Sequence, residues 1–129
     1  MFTAKEISAA HSQVKSGADF PAYIHALKKL GVTYYETFVH DGHTDYHGAN
    51  DYKITSPAKY EALDIDKTCN EKKFSTDLKD HQAGKTNYPT FCNDAAKSGI
   101  EKWIVDTKAM TCRYYDRGGN LVLTEQIPG

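Results

Sequence analysis

The sequence predicts an α+β fold, a two-layer sandwich in which a duplicated α-α-β-β-β unit lays one antiparallel sheet against helices on a single face. Three observations carry that expectation. Apolar residues recur at helical spacing in two pairs of segments. Each pair is followed by runs rich in β-branched and aromatic residues, and residues 68 positions apart match in type from the second helix of each pair onward.

Thr3 and Glu6 have capping-box spacing, and Phe2 and Ile7 stand where a hydrophobic staple closes the same turn, so a first helix is expected there. Ile7, Ala10 and Val14 continue it, and Gly17 is its expected stop. A second helix opens at Asp19-Phe20-Pro21, where proline lacks an N–H that the first turn does not need. Phe20, Tyr23, Ile24, Leu27 and Leu30 form its apolar stripe, and Gly31 ends it. Val32 to Val39 reads as a strand, Asp41-Gly42 as a two-residue hairpin turn, and Tyr52 to Thr55 as a third short strand. Residues 56–67 are expected to be a connector.

The punctuation then recurs. Thr68 and Glu71 have capping-box spacing before a helix through Phe74 and Leu78 that ends at Gly84. Tyr88-Pro89 opens a further helix with Phe91, Cys92 and Ala95 on its apolar side and Gly99 at its end. Ile100 to Asp106, Met110 to Asp116 and Leu121 to Ile127 read as strands, with Gly118-Gly119 as a turn. Pro21 matches Pro89, Gly31 matches Gly99, Tyr35 matches Trp103 and Tyr46 matches Tyr114. The expected organisation is one domain over 1–129, with internal repeats at 1–55 and 68–127.

Alternation along the strands assigns the faces. Tyr35, Thr37, Val39, Thr44, Tyr46, Trp103, Val105, Cys112 and Tyr114 fall on the core side, and Leu121 and Leu123 are expected to extend that layer. Across a turn at Asp41-Gly42, His40 would face His43, Phe38 would face Asp45, and Glu36 would face His47. Lys102, Arg113 and His43 are expected to be substantially exposed on the other, polar side.

Composition narrows the function classes. Sixteen Lys and Arg against seventeen Asp and Glu leave no net field to attract nucleic acid or an anionic membrane, and Arg113 and Arg117 are the only arginines. No apolar run approaches the ~20 residues of a membrane span. Lys5 and Glu6 interrupt the stretch where an export signal would be apolar, and Cys69, Cys92 and Cys112 are odd in number and unpaired by spacing. A cytoplasmic location with free thiols is the expectation.

Four segments carry a family resemblance: H-S-Q-V-K-S-G-A-D-F-P at 11–21, Y-E-T-F-V-x-D-G-H-T at 35–44, H-Q-A-G-K-T-x-Y at 81–88, and E-K-W-I-V-D with M-T-C-x-Y-Y-D at 101–116. In these the chain resembles the YdfO-like and YbcV-like proteins of enterobacterial prophages, a domain of unknown function. The resemblance implies a two-layer α+β fold and a bacterial or prophage origin, with no established activity. Some members carry the label "phage envelope protein", but this sequence has no membrane span, coiled-coil heptad or fibre repeat to support a virion role.

The segment H-D-G-H-T-D-Y-H at 40–47 gathers three imidazoles and two carboxylates. His43, Asp45 and His47 alternate onto one face and are the candidate metal ligands, of a type that suits zinc. An exposed ribbon lacks a buried second shell, however, and i to i+4 on a strand separates Cα atoms by about 13 Å. Glu36 beside His47 suits either an acid–base pair or a cross-strand ion pair. No nucleophile elbow, P-loop or dinucleotide fingerprint is present, and no catalytic residue is assigned. Glu36, Phe38, His40, Lys102, Arg113 and Tyr115 form the candidate binding face. The leading expectation is a non-enzymatic module, without a cofactor, that binds a protein or small molecule and neither nucleic acid nor membrane. The alternative is a zinc-dependent hydrolase built on the His40–His47 cluster. Oligomeric state and the partner's identity cannot be read from the sequence.

Overall fold

A computed structural model describes residues 2–14 and 19–127. The elements run α1 (Ala4–His11), α2 (Phe20–Leu30), β1 (Val32–Phe38), β2 (Thr44–Gly48), a 3-10 turn (Ala49–Asp51), β3 (Lys53–Thr55), α3 (Glu71–Gln82), α4 (Tyr88–Lys97), β4 (Ile100–Asp106), β5 (Thr111–Asp116) and β6 (Leu121–Gln126). The six strands form one antiparallel sheet in the order β3-β2-β1-β4-β5-β6. The four α-helices cover one face, which makes this the expected two-layer α+β architecture.

The helices form where their caps and stripes dictate. Thr3 and Glu6 make the reciprocal capping box of α1, which ends at His11 with Ser12 as its cap; Gly17 lies outside the described residues. Ile24 and Leu27 of α2 are fully buried, each contributing about 1.5–3 kcal/mol of apolar burial. The cap of α3 is Asn70, whose side chain accepts from the N–H of Lys73, and not the expected Thr68. Residues 68–70 stay outside the helix because they pass over α4's end: the Asn70 N–H donates to the Ser98 carbonyl, and a Cβ on Gly99 would stand 2.7 Å from the Thr68 carbonyl oxygen. Only a bare Cα at 99, with its φ of +81°, permits that approach.

The core lies between the layers. Tyr35, Val39, Tyr46, Trp103, Val105, Cys112 and Tyr114 are buried as alternation requires, together with Thr37 and Thr44, whose hydroxyls bond each other at 3.0 Å. Leu121 departs from expectation and is 54% exposed. A register irregularity between Tyr114 and Tyr115 pairs Leu121 with Tyr115 and so takes it out of the alternation that keeps Leu123 beside Tyr114.

The two halves share one register. Tyr35 faces Tyr46 as Trp103 faces Tyr114, and each half shifts register at the start of its first strand, after Val32 and after Ile100. The central β1–β4 pairing sets Glu36 against Ile104, two positions 68 apart. Matching backbone bonds flank it: Val39 N–H donates to Glu101 at 2.8 Å and Thr107 N–H donates to Thr33 at 3.1 Å.

The β1–β2 connection differs from a two-residue turn at Asp41-Gly42. Phe38 N–H donates to the His43 carbonyl and Gly42 N–H donates to the Phe38 carbonyl, so the loop spans 39–42. The wider loop lets Val39 turn into the core, where it is fully buried. Register consequently moves by two residues: Glu36 faces Asp45, and Tyr34 faces His47. A two-residue shift keeps every side chain on its expected face but changes its neighbours.

Candidate functional site

The helix-free face of the sheet carries, at its centre, side chains from β1, β2 and β4. Glu36 leaves β1 between an imidazole and an ammonium: its Oε1 is 3.4 Å from His47 Nε2, and its Oε2 accepts from Lys102 Nζ at 3.1 Å. The His47 contact lies within the β1–β2 hairpin, whereas the Lys102 contact does not. Lys102 arrives because β4 lies beside β1, placing Lys102 opposite Phe38 and two residues, on the same face, from Glu36's partner Ile104.

Aromatic rings fix the flanks. Tyr34 stacks on the His47 ring at 4.3 Å with an interplanar angle of 7°, and Phe38 stacks on His43 at 4.5 Å and 9°. Lys102 Nζ lies 5.8 Å from the ring centres of both Phe38 and Tyr115. These contacts explain why Lys102 and His43, expected to be substantially exposed, are only 29% and 27% exposed. Arg113, opposite Ile104 and Thr124, is exposed as expected.

The structure divides the histidine-rich segment. Asp45, opposite Glu36, and His47 converge with Glu36, their nearest ligand atoms all within 4.8 Å of one another. Asp45 is held from its other side by the Thr55 hydroxyl at 2.7 Å. His43 belongs elsewhere: its Nδ1 is 2.5 Å from Asp41 Oδ1, and the same oxygen accepts the His43 backbone N–H. Burial pushes the Asp41 carboxyl up, but the His43 backbone and imidazole, helped by His40, outweigh it and hold the carboxyl below its usual range. Asp41 is therefore ionised near neutrality, and His43 Nδ1 carries the proton between them.

His40 lies off the sheet, exposed on the loop, and lines a groove of about 580 Å³ with Leu63, Ile65, Glu101 and Arg117. Tyr34 and Thr55 are site residues outside the sequence-based candidates, and Asp41, counted there only as a carboxylate of the 40–47 segment, is the partner of His43. Tyr34 was recoverable from alternation, since it shares parity with Glu36 and Phe38; Thr55 needed the β2–β3 register.

Chemically, the arrangement offers a carboxylate between an imidazole and an ammonium, a second carboxylate, and rings packed against that imidazole and that ammonium. Fold and face together define an α+β domain with an open polar–aromatic sheet surface. The chain belongs to the family described as "Protein of unknown function (DUF1398)", whose model matches residues 8–126. No curated protein matches the chain. No helix among the described residues is long and apolar enough to cross a membrane.

Proposed function

We propose that this domain is a non-enzymatic binding module whose recognition surface is the helix-free face of the sheet and whose partner is a protein. One observation carries the reading: Glu36, Lys102, His47 and His43 are held in place by one another and by Tyr34, Phe38 and Tyr115 before any partner arrives. Ordering side chains on binding costs roughly 0.5–1.5 kcal/mol each, so a face already ordered binds without that loss. A broad sheet surface with aromatic and arginine residues suits another protein better than a small molecule, which is ordinarily enclosed in a concave site.

Capture from bacterial lysate tests it. The wild-type chain should retain a stoichiometric protein that Arg113→Glu and Tyr34→Ala lose, while Lys28→Glu on the exposed side of α2 keeps it. Equal retention by all three variants would place recognition elsewhere.

Further readings accompany this one. The shared register and the two register shifts 68 residues apart support descent of the halves, 1–55 and 68–127, from one duplicated unit. The four segments resembling prophage YdfO-like and YbcV-like proteins support a bacterial prophage origin, and three free thiols support a reducing, cytoplasmic setting. A zinc-dependent hydrolase using His43, Asp45 and His47 draws less support, because His43 is committed to Asp41.

A further inference from the structure

We infer that Glu36, Asp45 and His47 form a binding site for a zinc-class divalent cation, with Glu36 in the position that the hairpin sequence alone would give to His43. The inference goes beyond a protein-binding face, since the site needs no partner to be occupied.

Three observations converge on it. Two ligands about 2.1 Å from a tetrahedral ion stand about 3.4 Å apart. Glu36 Oε1 and His47 Nε2 are separated by 3.4 Å, the spacing of two such ligands and too long for a good hydrogen bond. His47 Nε2 is itself buried and has no hydrogen-bond partner in the metal-free protein. Asp45, the third ligand, has a carboxylate oxygen within 4.8 Å of the other two ligand atoms.

The surroundings are those of a supported site. Tyr34 holds the His47 ring plane, and the Thr55 hydroxyl holds Asp45, the kind of outer contact that orients metal ligands. The fold does not demand these residues. At the same register positions in the second half stand Ile104, Arg113 and Tyr115, none of which pairs a carboxylate with an imidazole, yet β4 and β5 build the same ladder. The acid–histidine cluster is thus an addition to a sheet that forms without it.

Lys102 sets the site's character. Its ammonium at 3.1 Å from Glu36 Oε2 competes with any cation for that carboxylate, so affinity is held down and binding must displace Lys102 toward the Phe38 and Tyr115 rings it already touches. Repulsion of this kind gives an unusual signature: removing Lys102 should tighten binding.

The experiment is titration of tag-free, EDTA-treated protein with zinc chloride, followed by calorimetry and by thermal stability, with cobalt(II) absorption reporting coordination geometry. Wild type should take up one equivalent, with tetrahedral cobalt bands. His47→Ala, Glu36→Gln and Asp45→Asn should each weaken binding at least tenfold, in the range typical for lost metal-site contacts. His43→Ala should change it less than twofold, and Lys102→Gln should tighten it roughly tenfold. Because Lys102→Gln is a gain, it reads the site even if a ligand variant folds poorly. No saturable uptake below about 1 mM, equal losses from His43→Ala and His47→Ala, or an unchanged affinity in Lys102→Gln would each overturn the assignment. Partner capture performed in EDTA keeps the two readings separate, since a protein retained there upholds the binding face whether or not zinc binds.

Discussion

The hydroxyl of Tyr60 donates a 2.6 Å hydrogen bond to the carbonyl of Val39, tying the connector after β3 to the loop between β1 and β2. The backbone reinforces the tie: Lys59 N–H donates to Asp41 at 2.8 Å and Leu63 N–H to His40 at 2.6 Å. Gly42 lies under the same ring, where an added Cβ would stand 2.7 Å from Tyr60 Cε2. Tyr60→Phe should therefore cost about 1–3 kcal/mol, since it leaves a partly enclosed carbonyl without its donor. Urea unfolding measures the loss; a midpoint equal to wild type would mean that water replaces the phenol.

The same loop should answer to acid. Asp41's carboxyl is held below its usual range by His43 and His40 against the opposing effect of burial. A depressed carboxyl pKa adds stability that is full above the unfolded value, about 3.9, and is lost as pH falls through the folded value. The stability gap between wild type and Asp41→Asn should accordingly shrink as pH falls below about 4. A gap constant from pH 6 to pH 2 would show that the carboxylate's charge does not matter there.

Trp103 fills the second half of the core. It is 7% exposed, with Tyr88, Phe91 and Tyr114 rings at 6.5, 5.7 and 5.9 Å. Trp103→Ala should cost about 3–5 kcal/mol, the loss expected for truncating a packed aromatic. Denaturant unfolding of the variant, read by far-UV circular dichroism, tests the magnitude, and an unmoved midpoint would place the core elsewhere.

What the sequence made legible was whatever depends on local pattern. The α1 capping box, the proline starts of α2 and α4, and the inward set from Tyr35 to Tyr114 all follow from spacing within one segment. The pairing of β1 with β4 does not, because no turn connects them, and with it went the Lys102 contact to Glu36. The loop at 39–42 departs from the expected turn for a related reason: Asp-Gly is a strong short-turn signal, but the buried Val39 and the overlying Tyr60 are long-range facts that outweigh it. Thr68 lost the α3 cap to Asn70 because Gly99, distant in sequence, lets the chain run close over the end of α4. In the candidate site, alternation placed Asp45, His47 and Glu36 on one face. It also put Glu36 beside His47, but that His43 turns to Asp41 and that Glu36 faces Asp45 depend on the loop at 39–42.

The three cysteines should differ in reactivity in a way that the burial of each fixes. The thiolate is the reactive form, so a thiol held protonated and covered is inert. Burial pushes the Cys112 thiol up to about 12, a rise to which the Glu125 carboxylate adds while the Tyr114 hydroxyl opposes it. Cys92 is fully buried and is likewise raised, chiefly by burial. Cys69 is only partly covered, and its thiol is raised first by burial and then by Asp116 and Glu71. Under native conditions at pH 8, iodoacetamide should therefore modify Cys69 slowly and leave Cys92 and Cys112 untouched over the same period, whereas in denaturant all three should react. Peptide mass spectrometry separates the sites. Modification of Cys112 at the rate of Cys69 in the folded protein would show that β5 opens to solvent far more often than a strand paired on both sides should.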